Sequence, residues 1–226
     1  MNENTRLNRR DSLLAAGGLI AAALIPEAAS AGLGPAAVAS GAISCVLTPE
    51  MTEGPYYVPS EKVRRNITEG KPGTPLDLRL TVVDASTCKA IKSAVVDIWH
   101  TDALGVYSGA IANNPGTNFM RGVQKTDSTG LARFISVYPG WYQGRAVHIH
   151  VKVYLGGSVV HTGQFFFNDA LTDAVYRQSP YNTRGSRDTR NAADSIYRNG
   201  GSRSILKVAK IASGYRAGIT MGVHRG

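Results

Sequence analysis

A run of alternating residues near the middle of the chain constrains the fold more than any other feature. From 147 to 154 the sequence reads Val-His-Ile-His-Val-Lys-Val-Tyr. Side chains along a β-strand point to opposite faces in turn, so the apolar residues of this run would share one face and pack on a core. His148 and His150 would then project side by side from the other face. The pattern predicts a half-buried strand.

The spacing of the two histidines leaves two interpretations open. His148 and His150 could form half of a metal site, or they could be two solvated side chains on the wet face of the strand. Tyr142 and Arg145 lie shortly before them, so a phenol, a guanidinium and two imidazoles occur within nine residues. This concentration makes the stretch from Tyr142 to His150 the first candidate for a functional site.

Short strand patterns continue on both sides of this run. They fall at 76–84, 95–100, 131–137, 148–155 and 159–167, with turn-forming residues between them. Short strands at this spacing predict an all-β fold, a single-domain β-sandwich of the prealbumin-like kind. Helix signals are confined to short segments at 173–178 and 191–197. The last third, rich in Arg, Asn and Ser, is predicted to be irregular.

The N-terminus has the composition of an export signal. Arg9 and Arg10 precede an apolar stretch at 13–25, and the small residues Ala-Ser-Ala at 29–31 follow. This order is typical of a twin-arginine signal peptide with a cleavage site. The apolar stretch is shorter than the roughly 20 residues of a membrane-spanning helix, so we expect no stable membrane association.

The expected organisation is a signal peptide at 1–31, a flexible tether at 32–44 and one domain at 45–226, located in the periplasm or the extracellular space. Cys45 and Cys88 are the two cysteines of the chain. In an exported protein a disulfide between them is permitted. The alternative is a lipid anchor on Cys45, which we disfavour because the residues before it do not form a good lipid-attachment signal.

The formal net charge is +9. Such a balance often accompanies nucleic-acid binding. Because the chain is expected to be exported and shows no nucleic-acid-binding motif, we do not expect nucleic acid as a partner. We interpret the charge as a solvated basic surface that favours anionic or polyphenolic material. A homo-oligomer is compatible with the sequence.

Several sequence fragments, most of them at the ends of predicted strands, together resemble the intradiol ring-cleavage dioxygenases, and most of all the exported branch of that family. They run in consistent order from Thr52 to about Asn168. The fragments are Thr52–Tyr57, Trp99–Tyr107, Phe119–Gly122, Thr126–Phe134, Pro139–Tyr142 and Arg145–His150.

The resemblance implies a non-haem ferric ion, Fe(III), as cofactor. Carried over by motif, its ligands would be Tyr107, Tyr142, His148 and His150. The chemistry is consistent with this set, because phenolates are hard anionic donors that favour ferric iron, whereas zinc more often recruits thiolate or imidazole. Iron would act on a small catecholic substrate and O2, and the ring would open between its hydroxyl-bearing carbons to give a cis,cis-muconate-type diacid.

The resemblance also assigns roles around the metal. Arg145 would be catalytic, because the family uses this arginine to steady negative charge that develops on the substrate ring. Tyr142 would take part in catalysis by leaving the metal as the substrate binds. Tyr56, Tyr57 and Gln164 match positions that line the substrate pocket. Five residues separate Tyr142 from His148, fewer than in many family members, which predicts an open pocket.

Two hypotheses from other classes compete with this one. His100 and Asp102, with the distant His150 or His161, imitate the two-histidine, one-carboxylate triad of Fe(II) and 2-oxoglutarate oxygenases. A secreted β-sandwich module that binds without catalysis would leave the histidines of the 147–154 run on the surface. Tyr138 is a competing ligand candidate, although it precedes a proline and is more consistent with packing.

Overall fold

Two four-stranded β-sheets contribute to one hydrophobic cluster. A computed structural model describes residues 45, 47–59 and 62–225. The strands are β1 (Pro75–Asp84), β2 (Val95–Trp99), β3 (Arg121–Lys125), β4 (Leu131–Val137), β5 (His148–Leu155), β6 (Ser158–Phe166), β7 (Lys207–Ile211) and β8 (Gly214–Val223). The helices are α1 (Asp169–Tyr176) and α2 (Ser195–Arg198), with 3₁₀ turns at Ala110–Ala112, Tyr181–Thr183, Asn191–Ala193 and Gly201–Ser204.

The first sheet has the strand order β4-β1-β8-β7 and the second has the order β3-β2-β5-β6. Strands β1 and β8 pair in parallel, and the other neighbours pair antiparallel. The mostly-strand fold that the sequence predicted is confirmed. Strands β4 and β5 have the predicted bounds, and β1, β2 and β6 lie within one residue of them.

The prediction of an irregular C-terminal segment is wrong for residues 207–223, which form β7 and β8. Strand β8 lies between β1 and β7 in the middle of the first sheet, and its residues Ala217, Met221 and Val223 are fully buried. Gly218 and Gly222 fall between these positions and weakened the alternating pattern. Strands β7 and β3 have only five residues each, and lysine, arginine and glutamine interrupt their apolar residues. Helix α1 begins at Asp169, four residues before the predicted segment.

Strand β5 is buried on both faces. Ile149, Val151 and Val153 lie in the hydrophobic cluster, as the alternation predicted, beside residues from both sheets. His148 and His150, on the opposite face, are also buried, with exposed fractions of 4% and 1%. The prediction of a half-buried strand is therefore wrong, and so is the interpretation that its two histidines are exposed to solvent. The surface histidines that the non-catalytic binding module requires are likewise absent from this strand.

The chain that precedes β1 is attached to the sheets by a few specific contacts. A disulfide joins Cys45 to Cys88, whose Cα atoms are 5.3 Å apart. The Met51 amide donates to the Thr162 carbonyl of β6. The predicted signal peptide and tether lie outside the described residues. Among the residues that are described, no helix is long and apolar enough to cross a membrane.

His161 on β6 provides a test of the core through its pH dependence. It is 1% exposed, its Nε2 atom has no hydrogen-bond partner among the described residues, and burial lowers its pKa from 6.5 to about 4. The unfolded chain therefore takes up a proton before the folded chain does. Above pH 6.5 His161 is neutral in both states, and its contribution to the free energy of unfolding is fully present. That contribution is lost as the pH falls towards 4, and the loss amounts to about 3 kcal/mol in total.

We expect His161→Leu to flatten the loss of unfolding free energy between pH 6.5 and 4 while changing stability little at pH 7. Denaturant titrations at several pH values measure this. His224→Gln, at an exposed histidine near the C-terminus, is the control. Parallel pH profiles for His161→Leu and the wild type would contradict the prediction.

Candidate active site

A close approach of two loops places Tyr107 beside Tyr142. The loop after β2 and the loop after β4 meet where the Gly140 amide donates to the Asp102 carbonyl over 2.8 Å. A Cβ atom on Gly140 would lie 2.4 Å from the carbonyl oxygen of Ala103. Only glycine permits this contact between backbones. The ring centroids of Tyr107 and Tyr142, one on each of these loops, are 5.6 Å apart.

Asp102 holds the first of these loops in shape. Its Oδ1 atom accepts hydrogen bonds from the backbone amides of Leu104 and Val106, and its Oδ2 atom is 3.0 Å from Lys71 Nζ. A short polar side chain that bonds to amides shortly after it is a common way to stabilise a turn. The carboxylate of Asp102 thus fixes the turn that leads to Tyr107.

His100 is likewise committed to the scaffold. It is fully buried, its Nδ1 atom lies 2.7 Å from the Thr101 carbonyl, and its Nε2 atom lies 2.8 Å from the Ser136 hydroxyl. Burial lowers its pKa to about 4. In the described part of the chain, no three His, Cys, Asp or Glu side chains converge to hold a metal. The two-histidine, one-carboxylate hypothesis built on His100 and Asp102 is therefore wrong.

Strand β5 orients the imidazoles of His148 and His150 towards each other. Their Nε2 atoms are 3.0 Å apart, and the Tyr142 hydroxyl is 3.4 Å from His148 Nε2. His148 Nδ1 lies 2.6 Å from the Ala146 carbonyl. Because a carbonyl oxygen only accepts, Nδ1 of His148 carries the proton and its Nε2 lone pair faces the site.

The His150 ring is held from two sides. Trp99 of β2 lies opposite it in the register, and the two rings stack with centroids 4.8 Å apart and 5° between their planes. Gly54, which has a φ of +74°, approaches the edge of the imidazole, and a Cβ there would be 3.2 Å from His150 Cε1. This packing leaves the ring little freedom to turn.

Both histidines are neutral at pH 7. Burial, followed by the positive charge of Arg145, lowers the pKa of His148 to about 3. Burial and the neighbouring His148 hold the pKa of His150 well below its usual value. Neutral imidazole is the form that binds a metal, so no proton has to be displaced from the charged state first.

Tyr107 contributes a phenol oxygen without a hydrogen bond. The residue is 4% exposed, and its hydroxyl has no partner among the described residues. Tyr56 stacks on its ring with centroids 4.4 Å apart. Burial and the nearby Tyr142 raise the pKa of Tyr107 well above its usual value. A buried polar atom without a partner is costly, and a bound cation would satisfy it.

The two phenols and two imidazoles fit a ferric ion. Two potentially anionic hard oxygen donors and two neutral nitrogen donors converge at Tyr107, Tyr142, His148 and His150. Such a set suits a hard trivalent cation better than it suits zinc. The structure brings together all four residues that the sequence predicted as ligands.

Arg145 joins this donor set to the surrounding polar groups. Its Nη1 donates to the Tyr142 hydroxyl over 3.3 Å and its Nη2 donates to Gln164 Oε1 over 2.6 Å. Gln164 in turn donates from Nε2 to the Thr52 carbonyl over 2.9 Å. On the other edge, Arg145 Nε donates to Asp194 Oδ2 over 2.8 Å. The guanidinium therefore sits between the phenol and the segment that carries Tyr56.

Two other tyrosines lie apart from these groups. The Tyr57 hydroxyl is 2.7 Å from that of Tyr154 and donates to Asp97, beside a cavity of about 280 Å³. Its ring packs on Trp99, which in turn stacks on His150. Tyr138 is fully buried in the hydrophobic cluster, and its hydroxyl is 2.8 Å from the Thr172 hydroxyl.

Nothing in the sequence gives Asp194 a role at the site, and Trp99 and Gly54 occur there only as parts of the family pattern. Asp194 accepts hydrogen bonds from the first amides of α2, so its one local signal is that of a helix N-cap. No local signal places that cap beside Arg145, because the contact depends on how the C-terminal segment returns to β5.

Known proteins match the part of the chain that carries these residues. A family model described as Dioxygenase matches residues 52–179. The chain is 29% identical over 136 residues to the chlorocatechol 1,2-dioxygenase of Pseudomonas putida, covering 51% of this chain and 52% of that protein. It is 34% identical over 99 residues to catechol 1,2-dioxygenase 2 of Acinetobacter lwoffii, covering 42% of this chain and 35% of that protein. The chain thus spans about half or less of these curated relatives.

Solved structures resemble the chain over more of its length. An intradiol ring-cleavage dioxygenase from Tetranychus urticae is 34% identical with a TM-score of 0.76, covering 80% of this chain and 95% of that one. The dioxygenase domain of a carbohydrate-binding fusion protein from Streptomyces sp. SirexAA-E is 25% identical with a TM-score of 0.63, covering 80% of this chain and 99% of that one.

We expect Gly140→Ala to separate the two loops. A methyl group 2.4 Å from the Ala103 carbonyl should cost about 1–3 kcal/mol of unfolding free energy, as overpacking does elsewhere. It should also weaken metal retention, because Tyr142 follows Gly140 closely. Thermal unfolding and metal analysis measure the two effects. Gly185→Ala, where no atom lies within 4 Å of the new Cβ, is the control, and equal behaviour of the two variants would contradict the prediction.

Proposed function

Because the chain belongs to the intradiol ring-cleavage dioxygenase family, we propose that it is an Fe(III)-dependent dioxygenase. It would insert both atoms of O2 into a catecholic ring and release a cis,cis-muconate-type diacid. The observation that carries this proposal is the convergence of two phenols and two neutral imidazoles beside a fixed arginine.

Tyr107, Tyr142, His148 and His150 would hold the iron. Ferric iron would supply Lewis acidity, which favours a catechol as a chelating dianion. The residues around it are fixed before any substrate arrives, since Trp99 and the Ala146 carbonyl hold the two imidazoles. Such preorganisation avoids the cost of ordering the site during the reaction.

Tyr142 is suited to receive a proton when substrate binds. Burial raises its pKa, although Arg145 opposes that effect. The Tyr142 oxygen would therefore be a good proton acceptor for a catechol hydroxyl that comes within hydrogen-bond distance of it. Arg145 Nη1, which donates to the same oxygen, would steady the charge until the proton arrives.

Arg145 and Gln164 would orient the ring. The guanidinium keeps two Nη groups on the site side, where they can stabilise negative charge that develops on the substrate. Gln164 fixes one of them and ties it to the Thr52 carbonyl. Tyr56, stacked on Tyr107, presents an aromatic face beside the metal ligands. The short segment between Tyr142 and His148 supports an open pocket that admits substituted catechols.

Export of the folded protein is the second part of the proposal. The twin-arginine pattern at 1–31 and the disulfide between Cys45 and Cys88 both support a periplasmic or extracellular location, because disulfides persist in oxidising compartments. Two sheets that share one core support the prealbumin-like β-sandwich as the arrangement of the domain.

Colour tests the ferric site. Protein loaded with iron under air should show a visible charge-transfer band from tyrosinate to Fe(III), and the band should shift on addition of catechol. Tyr142→Phe and His148→Ala should lose most of it. Tyr138→Phe, which changes a phenol of the hydrophobic cluster, is the matched control and should keep it. Iron-loaded protein without colour would refute the ferric site.

Turnover tests the role of Arg145. Arg145→Ala should retain the iron band, because this residue is not among the four ligands, while kcat falls about 100- to 1,000-fold through the loss of a preorganised charge-stabilising donor. Oxygen uptake across a panel of catechols, with identification of the product, measures this and the substrate preference together. Turnover equal to that of the wild type would remove Arg145 from catalysis.

A further inference from the structure

A carboxylate from beyond the family-matched segment contacts Arg145. The family model ends at residue 179, whereas Asp194 lies between the 3₁₀ turn Asn191–Ala193 and helix α2. Its side chain is completely buried, and the residue as a whole is 1% exposed. A buried carboxylate has to be compensated by donors, so the donors around Asp194 indicate what it does.

Four donors surround this carboxylate. Oδ1 accepts from the amides of Ile196 and Tyr197 over 2.7 and 3.0 Å, and thereby caps α2. Oδ2 accepts from Arg145 Nε and from the Ala146 amide, both over 2.8 Å. One oxygen thus belongs to the C-terminal segment and the other to the loop that precedes β5. Because each oxygen accepts two hydrogen bonds, the orientation of the carboxylate is fixed.

This contact determines which edge of Arg145 faces the site. The guanidinium is planar, so holding Nε fixes the plane in which both Nη groups lie. In that plane Nη1 reaches the Tyr142 hydroxyl and Nη2 reaches Gln164. Without an acceptor at Nε, the long side chain would regain rotamer freedom, and the two donors would no longer be held in place.

We infer that Asp194 is a positioning residue, which fixes the Arg145 guanidinium through Nε so that its other nitrogens point at Tyr142 and Gln164. Asp194 touches neither the donor set nor the place of the substrate and acts through Arg145. The inference rests on the proposed function for its effect on turnover. The geometry of the arginine itself can be measured without iron or substrate.

Asp194→Asn tests the inference with little change in shape. The amide oxygen can still cap α2, but the amide nitrogen would place a donor against Arg145 Nε and the Ala146 amide. We expect kcat/KM to fall about 10- to 100-fold, the scale seen when a supporting hydrogen bond of a site is removed. The iron band should be retained.

Asp173→Asn is the matched control, because Asp173 of α1 accepts from Arg187 and Arg190, which lie shortly before Asp194 in the chain, and does not contact Arg145. It should keep kcat/KM within about twofold of the wild type. An equal loss in both variants would show a general effect of the C-terminal segment and would overturn the inference.

A double variant separates positioning from a structural role. If Asp194 acts through Arg145, adding Asp194→Asn to Arg145→Gln should lower kcat/KM no further, because the target of the contact is already gone. If the two losses multiply, Asp194 acts on its own and the inference fails.

A spectroscopic readout on iron-free protein keeps this test apart from the proposed function. In ¹H–¹⁵N spectra the Arg145 Nε–H resonance should be resolved and slow to exchange in the wild type and in Asp173→Asn, and shifted or broadened in Asp194→Asn. An unchanged resonance would overturn the inference. Absence of oxygen uptake by the wild type with any catechol would instead refute the proposed dioxygenase activity. The resonance would still show whether Asp194 fixes Arg145.

Should Asp194→Asn fail to fold, Asp194→Ser replaces it. Serine is a good N-cap and can still accept from the first amides of α2, but it lacks the second oxygen that holds Arg145. The Arg145 Nε–H resonance should change in this variant as well, and an unchanged resonance would contradict the inference.

Discussion

Strand β5 packs into the hydrophobic cluster with one face and presents His148 and His150 with the other, and the rest of the site depends on both. Its apolar residues Ile149, Val151 and Val153 fix the strand in the hydrophobic cluster. That packing sets the register, so His148 and His150 must project from the opposite face with their Nε2 atoms 3.0 Å apart. Slipping the strand by one residue would exchange the two faces, which would bury the imidazoles in the core and remove the site.

The polar groups of the site are buried, and most of them are neutral or have a hydrogen-bond partner. The histidines stay neutral, and Trp99 and the Ala146 carbonyl hold them in one orientation. The Tyr107 hydroxyl is the exception, since it is buried without a partner. Unsatisfied buried groups of this kind often occur where a ligand completes the network, which agrees with a bound cation at this place.

The C-terminal third contributes both to the first sheet and to the support of the site. Strand β8 lies in the middle of the first sheet, and Asp194 supplies the contact that orients Arg145. Both lie outside the segment that the family model matches. The proposed ligands therefore come from the segment that the family model matches, whereas part of their support comes from the region after residue 179. Variation in that region would change how the arginine is held without changing the four proposed ligands.

Local sequence patterns determined five of the eight described strands and half of the site. Alternation identified β1, β4 and β5, because burial of one face imposes a period of two, and it placed His148 next to His150. Tyr142 already belonged to the polar stretch that ends at His150, and the family pattern, rather than any local signal, added Tyr107. Tertiary structure decided the rest. Strand β8 was missed because glycine and alanine supply little hydrophobic contrast, although pairing with two neighbours stabilises it. Asp194 reads in sequence only as a helix cap, and its contact with Arg145 exists because the folded chain returns to β5, a long-range approach that no local pattern encodes.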